Sequence, residues 1–549
     1  MWSTNRAMFR HLRLMQGFTR GLSTSGNSSR TGNWVIGSSH LLKAFAITSG
    51  AAAAAWYVSM HRTTYPAACE ASISPGEFVE GLKEISLEEV QKHKSKADGG
   101  IWVTYKGGVY DITEFIENHP GGQAKILLAA GGPLEPFWSL YAQHQEEFVY
   151  SILEELRIGN LKASDKETLA QKNESDPYAN DPARSPLLTV RGHKPFNAEP
   201  PLELLDSEIT PNDLFYVRNH LPVPKIEGKD YKLEIVHRDG RTSELTLADL
   251  ENKFKPHDVT ATIMCAGNRR NEMDSIKKVK GGYWDAGAIS TARWTGALLS
   301  DVLEELGITE EGVEHIQFEG LDKDSTTQTI YGASIPADIA MDKKCEVLLA
   351  YKMNDEPIPA DHGYPIRAVV PGVVGARNVK WVGKIVASDK ESDSHWQQND
   401  YKGFNSSIDW HNVDFSAAPA IQELPVISAI CSARIEGDEV VAQGYAYSGG
   451  GRGIIRVDVT ADNGNSWEVA ELSPADPNQK RNRVYGWTLW SATLKLPECG
   501  KTVEDGCLVV RSRAVDSQYN LQPENCDKIW NLRGVLSNSW HEKKLVLDN

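Results

Sequence analysis

Several signatures are missing from this 549-residue chain, and each absence removes a class of function. No CxxC pair, zinc-finger spacing, P-loop or GxGxxG fingerprint occurs, so neither a structural zinc site nor nucleotide binding is signalled. Cysteine is scarce. The seven residues (Cys69, Cys265, Cys345, Cys431, Cys499, Cys507 and Cys526) are odd in number and scattered, which excludes a disulfide framework. Positive charge is short as well. A formal charge of −16 argues against nucleic acid and for a basic or cationic partner. Length alone predicts two to four domains, because 549 residues exceed one core.

The first 69 residues lack acidic side chains altogether, Glu70 being the first. Arg6, Arg10, Arg13, Arg20 and Arg30 sit there among Ser, Thr and apolar residues, the pattern of a mitochondrial transit peptide. An alanine-rich apolar stretch follows over 41–58, interrupted by Lys43. A transmembrane anchor is the plain alternative, but the stretch is short and rich in Ala and Gly. Residues 1–69 resemble a two-part sorting signal, which implies the mitochondrial intermembrane space and no stable membrane anchor in the mature form. Without its seven Lys and Arg the chain would carry −23.

What is present begins with His119-Pro120-Gly121-Gly122 and, further on, His144. Proline biases the preceding residue away from the helical region, so a short helix ends at His119 and the ring swings outward. Two glycines without Cβ atoms let backbone lie against a flat macrocycle. Residues 101–105 (IWVTY), Lys-Gly-Gly and then Val109 read as a β-hairpin, and Thr113 as the cap of a short helix bearing Phe115 and Ile116. An apolar helix over 124–130, with Phe137, Trp138 and Leu140, completes greasy walls around the two histidines. A pair of neutral imidazoles suits a six-coordinate, electron-carrying haem. Residues 82–163 are similar to cytochrome b5, which implies haem b held by His119 and His144.

Residues 164–186 are charged and nearly devoid of large apolar side chains, and are predicted to form a flexible linker. Over 187–410, short strands mix with helices such as 297–306 without βαβ alternation, which predicts an α+β domain. From 415 to 549 the texture is strand-rich. Residues 453–460 and 466–472 alternate with period two around Asn463-Gly464, a hairpin within an immunoglobulin-like β-sandwich. Gly449-Gly450-Gly451 reads as a turn rather than a phosphate cradle. The fold class expected is therefore α+β multidomain.

Cys265 follows an apolar strand and precedes Arg269 and Arg270; positive neighbours favour the thiolate that ligates a soft metal. Further basic and polar residues stand in apolar, Gly/Pro-rich settings at 216–220, 361–367 and 375–380, where a buried charge needs a partner and an anionic ligand would supply one. These stretches, with 288–294, 371–377 and 529–537, resemble the molybdenum-pterin domain of the sulfite oxidase family, almost unbroken from 187 to the end. That resemblance implies a molybdenum-molybdopterin cofactor with Cys265 on the metal. It implies Tyr216, Val217, Arg218, Asn219, His220, Asp322, His362, Arg367, Asn378, Val379 and Lys380 around the pterin and its phosphate. Arg218, Arg270, Trp284, Tyr401 and Arg533 would line the substrate pocket, and the last domain would make a homodimer. The implied reaction is oxidation of sulfite, with electrons leaving singly through the haem to cytochrome c. Planar, permanently charged arginine forks suit such an oxyanion. Nitrate reduction on the same scaffold is the nearer rival, but its plant members place the haem domain after the molybdenum part and add a flavin domain. A non-enzymatic haem electron carrier is the more distant one.

Overall fold

Period-two patterning and tight turns build the first ordered domain. The computed structural model describes residues 75–119, 123–138, 144, 147–165, 176–179, 181–324, 327–497, 503–504 and 507–546. The sorting segment expected over 1–69 lies outside them. No helix among the described residues is long and apolar enough to cross a membrane.

Strands Gly100–Tyr105 and Gly108–Asp111 pair antiparallel, with Lys106 at φ +50° in the turn between them. They sit in a five-stranded sheet whose core includes Val103, Tyr110, Ile112 and Trp138. Thr113 does not cap a helix as expected. Its hydroxyl accepts the Ile101 amide at 2.8 Å and donates to Asp111, closing the hairpin, and the helical turn comes later as Ile116–Asn118. The backbone of a hairpin exit offers that hydroxyl a nearer donor than the first turn of a helix does.

The linker expected over 164–186 ends earlier than its composition suggests. Residues 166–175 lie outside the described set, but from 176 onward the chain is packed. Tyr178 is buried, Asp176 pairs with Lys194 at 2.6 Å, and Asp181 accepts the Val223 amide at 3.3 Å. Charges that read as solvated in the sequence find opposite partners on the following domain.

That domain holds two larger sheets and is α+β as expected. One runs Thr242–Thr246, Lys232–Val236, Val382–Ser388, His315–Lys323 and Ile330–Pro336; the other runs Pro256–Met264, Ile289–Leu298, Leu348–Met353 and Glu356–Pro357. Only Val382–Ser388 beside Lys232–Val236 is parallel among these pairs. The helix expected over 297–306 is Leu299–Glu305, because Ala297 and Leu298 still pair with Leu349 and Leu348.

The carboxy-terminal region is a two-sheet sandwich. Ile454–Thr460 turns through Asn463 (φ +58°) and Gly464 (φ +82°) to pair with Glu468–Val469, and the chain then crosses to the other sheet as Glu471–Pro474. One stretch leaves the sandwich. Trp530 and Leu532 pack on Met273, and the Leu536 amide donates to Ala266 at 2.7 Å, before His541–Val546 rejoins the sheet. Arg533 therefore belongs in space to the domain of Cys265, although its sequence neighbours are strands of the sandwich.

Arg269 fastens the two. It is fully buried at φ +61°, chelates Glu272 at 2.6 and 2.8 Å, and donates to the carbonyls of Ser428 and Trp540, each at 3.1 Å. It thus turns away from the thiol it was expected to activate. Arg269→Ala should cost about 3–5 kcal/mol, the penalty for stranding one partner of a buried pair. Urea unfolding of the purified variant checks this.

His541 makes the sandwich pH-sensitive. Its Nδ1 accepts the Ile430 amide at 3.0 Å, so only the neutral ring fits. Burial, aided by Arg269 and Lys543, holds its pKa well below the ordinary histidine value. The unfolded ring takes a proton near pH ~6.5 and the folded one does not. Its contribution is full above that pH and falls by about 1.4 kcal/mol per unit beneath it. Denaturation midpoints should drop between about pH 7.5 and 5.5, and drop less in His541→Gln.

Candidate functional site

Two sites take shape. In the first, the residue before proline ends its helical turn in extended conformation, at φ −64° and ψ 121° for His119. The imidazoles of His119 and His144 lie parallel, 2° apart in plane, with centroids 6.3 Å apart. Trp138 stacks on His144 at 5.4 Å, and Phe115 meets His119 edge-on at 6.0 Å. Two imidazole–metal bonds of about 2 Å need the ring nitrogens about 4 Å apart, which puts the centroids near 6 Å. The observed gap fits an iron between them, against a wall of aromatic side chains. Residues 120–122 and Leu140, which were expected to help shape this slot, lie outside the described set.

The second site surrounds Cys265, which is carried at the end of strand Pro256–Met264. Its amide donates to the Ala288 carbonyl at 2.9 Å, and its thiol accepts the Gly267 amide at 3.4 Å. A cavity opens beside it, about 580 Å³ with the solvent at its mouth included, lined by Tyr216, Arg218, His220, Asp322, His362, Arg367, Asn378, Lys380 and Tyr401. Residues from widely separated parts of the chain thus converge on one concave site beside the thiol, lined mostly by polar residues.

Others on the expected list stand behind this surface. Asn219 is buried and shares its side chain between Asp361, at 2.9 Å, and Lys380. Val217 packs with Leu188 and Ala198, and Val379 sits in the main core. Trp284 is buried edge-on to Tyr216. The two arginines expected in the substrate pocket beside Arg218 do not line the cavity. Arg270 donates to the carbonyls of Gly282 (2.6 Å), Gly534 (3.0 Å) and Arg533 (3.2 Å), and borders a separate cleft with Asp274 and Tyr283. Arg533 pairs with Asp400 and lies over Trp410. Each guanidinium is held by protein acceptors that spacing along the sequence did not reveal, although Arg270 still feels the charges of Cys265, Arg218 and Tyr401.

The lining also includes Phe215, Tyr331, Gly375, Ala376 and Trp381. Gly375 and Ala376 fall in the stretch at 375–380 picked out in the sequence, whereas Phe215, Tyr331 and Trp381 were passed over because they carry no charge and no metal-ligand chemistry. Asp361 stood in the sequence only as one polar residue of the stretch at 361–367, and its place behind the cavity wall shows only in three dimensions.

Charge inside the cavity is unbalanced. Burial drives the Asp322 carboxyl up and the Lys380 ammonium down, each resisted by the other's charge. Burial also takes His362 to about 3 and His220 well below the usual range, so both rings are neutral. Arg218 loses by burial but gains from Tyr401, Cys265 and Asp400, and holds its charge firmly. Asp322 Oδ1 and Arg367 Nε are buried with no hydrogen-bond partner among the described residues. Orphaned buried donors and acceptors are costly and call for a ligand. A polar ring system ending in a phosphate, with a soft metal at the thiolate, satisfies them. The residues fit a molybdenum-pterin cofactor.

Comparison with known proteins agrees with both sites. Residues 86–162 match the Cytochrome b5-like Heme/Steroid binding domain, 220–396 the Oxidoreductase molybdopterin binding domain, and 418–547 the Mo-co oxidoreductase dimerisation domain. The chain is 52% identical over 461 residues to human "Sulfite oxidase, mitochondrial", covering 83% of each chain. It is also 52% identical to the Drosophila melanogaster protein of that name, over 85% of this chain and 81% of that one. The chain belongs to the sulfite oxidase family. The sulfane dehydrogenase SoxCD of Paracoccus pantotrophus superposes with a TM-score of 0.52 at 25% identity, over 67% of this chain and 87% of that one. This sulfite oxidase family member carries haem b and the molybdenum-molybdopterin cofactor, is a homodimer and is mitochondrial.

If His119 and His144 clamp the iron, His119→Ala and His144→Ala should each purify with little haem while keeping molybdenum. Pyridine haemochrome absorbance and elemental analysis of the same sample check this.

Proposed function

We propose that this sulfite oxidase family member oxidises sulfite to sulfate beside Cys265, with electrons passing singly through the haem to cytochrome c in the intermembrane space. The observation carrying this reading is the cavity that sets a buried thiol beside an arginine with free donors. When bound, the molybdenum cofactor supplies two-electron oxygen-atom transfer, and the haem takes the electrons one at a time. The order of domains, haem part first, favours this reading over nitrate reduction, and the molybdopterin-binding match leaves no room for a mere haem carrier.

Cys265 would hold the metal, since a thiolate prefers a soft ion. Its backbone bond to Ala288 holds the main chain at Cys265, and the Gly267 amide meets the sulfur at 3.4 Å. Arg218 would bind the oxyanion. Its Nη1 is anchored on Asn197 Oδ1 (3.0 Å) and the Asn219 carbonyl (2.8 Å), which orients the fork and leaves Nε and Nη2 for the substrate. Sulfite, an oxyanion singly to doubly charged near neutral pH, matches a planar cation with several donors.

Tyr401 would hold a proton near the reacting atoms. Its hydroxyl is 2.7 Å from His220 Nε2, and burial, opposed by Arg218 and Arg270 and helped by Cys265 and Asp400, pushes its pKa up to about 12. It stays protonated at physiological pH and can donate where charge develops. Arg270 acts from behind, holding together the turns at 282 and 533–534 that flank the Cys265 loop. Arg533, through Asp400, holds the residue before Tyr401. Val217, Asn219, Trp284 and Val379 would shape the cradle without touching the substrate.

The acidic balance supports cytochrome c as acceptor, because opposite fields steer encounter with a basic protein. The arginine-rich start and the apolar stretch at 41–58 support sorting to the intermembrane space.

Cys265→Ser should abolish sulfite-dependent haem reduction while the haem spectrum stays intact. Arg218→Gln should raise the sulfite KM about ten- to a hundredfold, the usual loss for a buried charge-assisted bond. Steady-state kinetics with cytochrome c, and anaerobic spectra before and after sulfite, read both. Near-normal turnover in Cys265→Ser overturns the reading.

A further inference from the structure

The last residues before the molybdopterin-binding domain reach its cofactor cradle through one arginine. Arg184 grips Asp361 with both prongs, Nε to Oδ2 at 2.8 Å and Nη2 to Oδ1 at 2.9 Å. Nη2 also reaches Asp181 at 2.8 Å, and the guanidinium lies 4.0 Å over the Phe196 ring. The pair is largely shielded, with side chains 14% and 8% exposed.

Asp361 does not line the cavity, but it touches both stretches that do. Its Oδ1 accepts Asn219 Nδ2 at 2.9 Å, and its carbonyl accepts Lys380 Nζ at 2.8 Å. Lys380 also donates to Asn219, and His362, the next residue along, lines the cavity. The turn is pressed close. Gly363 stands at φ +114°, and a Cβ there would come within 3.2 Å of the Lys380 backbone. Burial pushes the Asp361 carboxyl up, but Arg184 and Lys380 more than offset it, so it stays ionised.

A buried carboxylate must be neutralised by whichever cation is nearest. With Arg184 in place its two oxygens are occupied. Without Arg184 the nearest cation is Lys380, which would turn from the cavity to pair with it.

We propose that Arg184 is a positioning residue for the molybdenum cofactor, neutralising Asp361 so that the Lys380 ammonium remains available to the anionic end of the pterin. The proposal rests on the reading that Lys380 helps hold that cofactor. It makes the end of the tether and the retention of the cofactor one coupled unit. By linkage, a bound cofactor in turn keeps the tether end fastened.

The test uses the full-length homodimer and measures molybdenum per haem by elemental analysis during extended dialysis, with no assay of turnover. Arg184→Gln should lose molybdenum at least about tenfold faster than the unchanged protein, the effect of one lost buried charge-assisted contact. Arg184→Lys should recover part of this. Asp361→Asn should hold molybdenum nearly normally, and so should Arg184→Gln combined with Asp361→Asn, because no carboxylate then competes for Lys380. A merely structural contact would give the opposite pattern, with Arg184→Gln, Asp361→Asn and their combination leaking alike. Lys380→Ala separates the two layers of the inference. If it leaks while Arg184→Gln does not, the latch is wrong; if it holds its molybdenum, the cradle reading fails and takes the latch with it. Should Arg184→Gln not fold, leakage from Asp361→Asn as fast as from Lys380→Ala would overturn the proposal.

Discussion

Everything around Cys265 depends on one electrostatic constraint, a buried cleft with more positive charge and more unpaired polar atoms than its walls satisfy. Arg218, Arg367, Lys380 and Asp322 all line it, and Arg367 Nε and Asp322 Oδ1 find no hydrogen-bond partner among the described residues. A protein that folded for stability alone would fill such a space with apolar side chains. The cost is tolerable because a bound polyanionic cofactor supplies the missing partners, which couples ligand retention to the stability of the domain.

Remote parts of the chain meet behind this cavity. The carboxy-terminal excursion that bears Trp530, Leu532 and Arg533 packs on Met273, and its backbone carbonyls take the Arg270 guanidinium. Arg269, next to it, turns the other way and fastens the sandwich. Neighbouring cations on one short turn thus serve two interfaces. The domain that makes the dimer also completes the wall behind the active cavity. Mutations in that segment should therefore be read for their effect on chemistry as well as on assembly.

At the haem, legibility was high because the signal is local. The Pro120 rule that places His119 acts between adjacent residues, and the hairpin at 101–111 follows from side-chain alternation and a turn. The cap assigned to Thr113 failed for a reason of the same range, since its hydroxyl met the Ile101 amide first. The cavity residues were legible mainly as polar groups in apolar settings, and most of those reached the lining. Arg270 and Arg533 did not, because arginine takes the nearest carbonyls and carboxylates, which lie far away in the sequence.

The sequence by itself determined the order of domains, the two histidines and the lone thiol, because these rest on composition, short-range backbone preference and metal-ligand chemistry. Tertiary structure decided which cations face the cavity, where the tether ends and which residue bridges them. Arg184 and Asp361 lie 177 positions apart, and nothing in either neighbourhood names the other. Charge pairing in a buried setting depends on distances that only the finished packing sets.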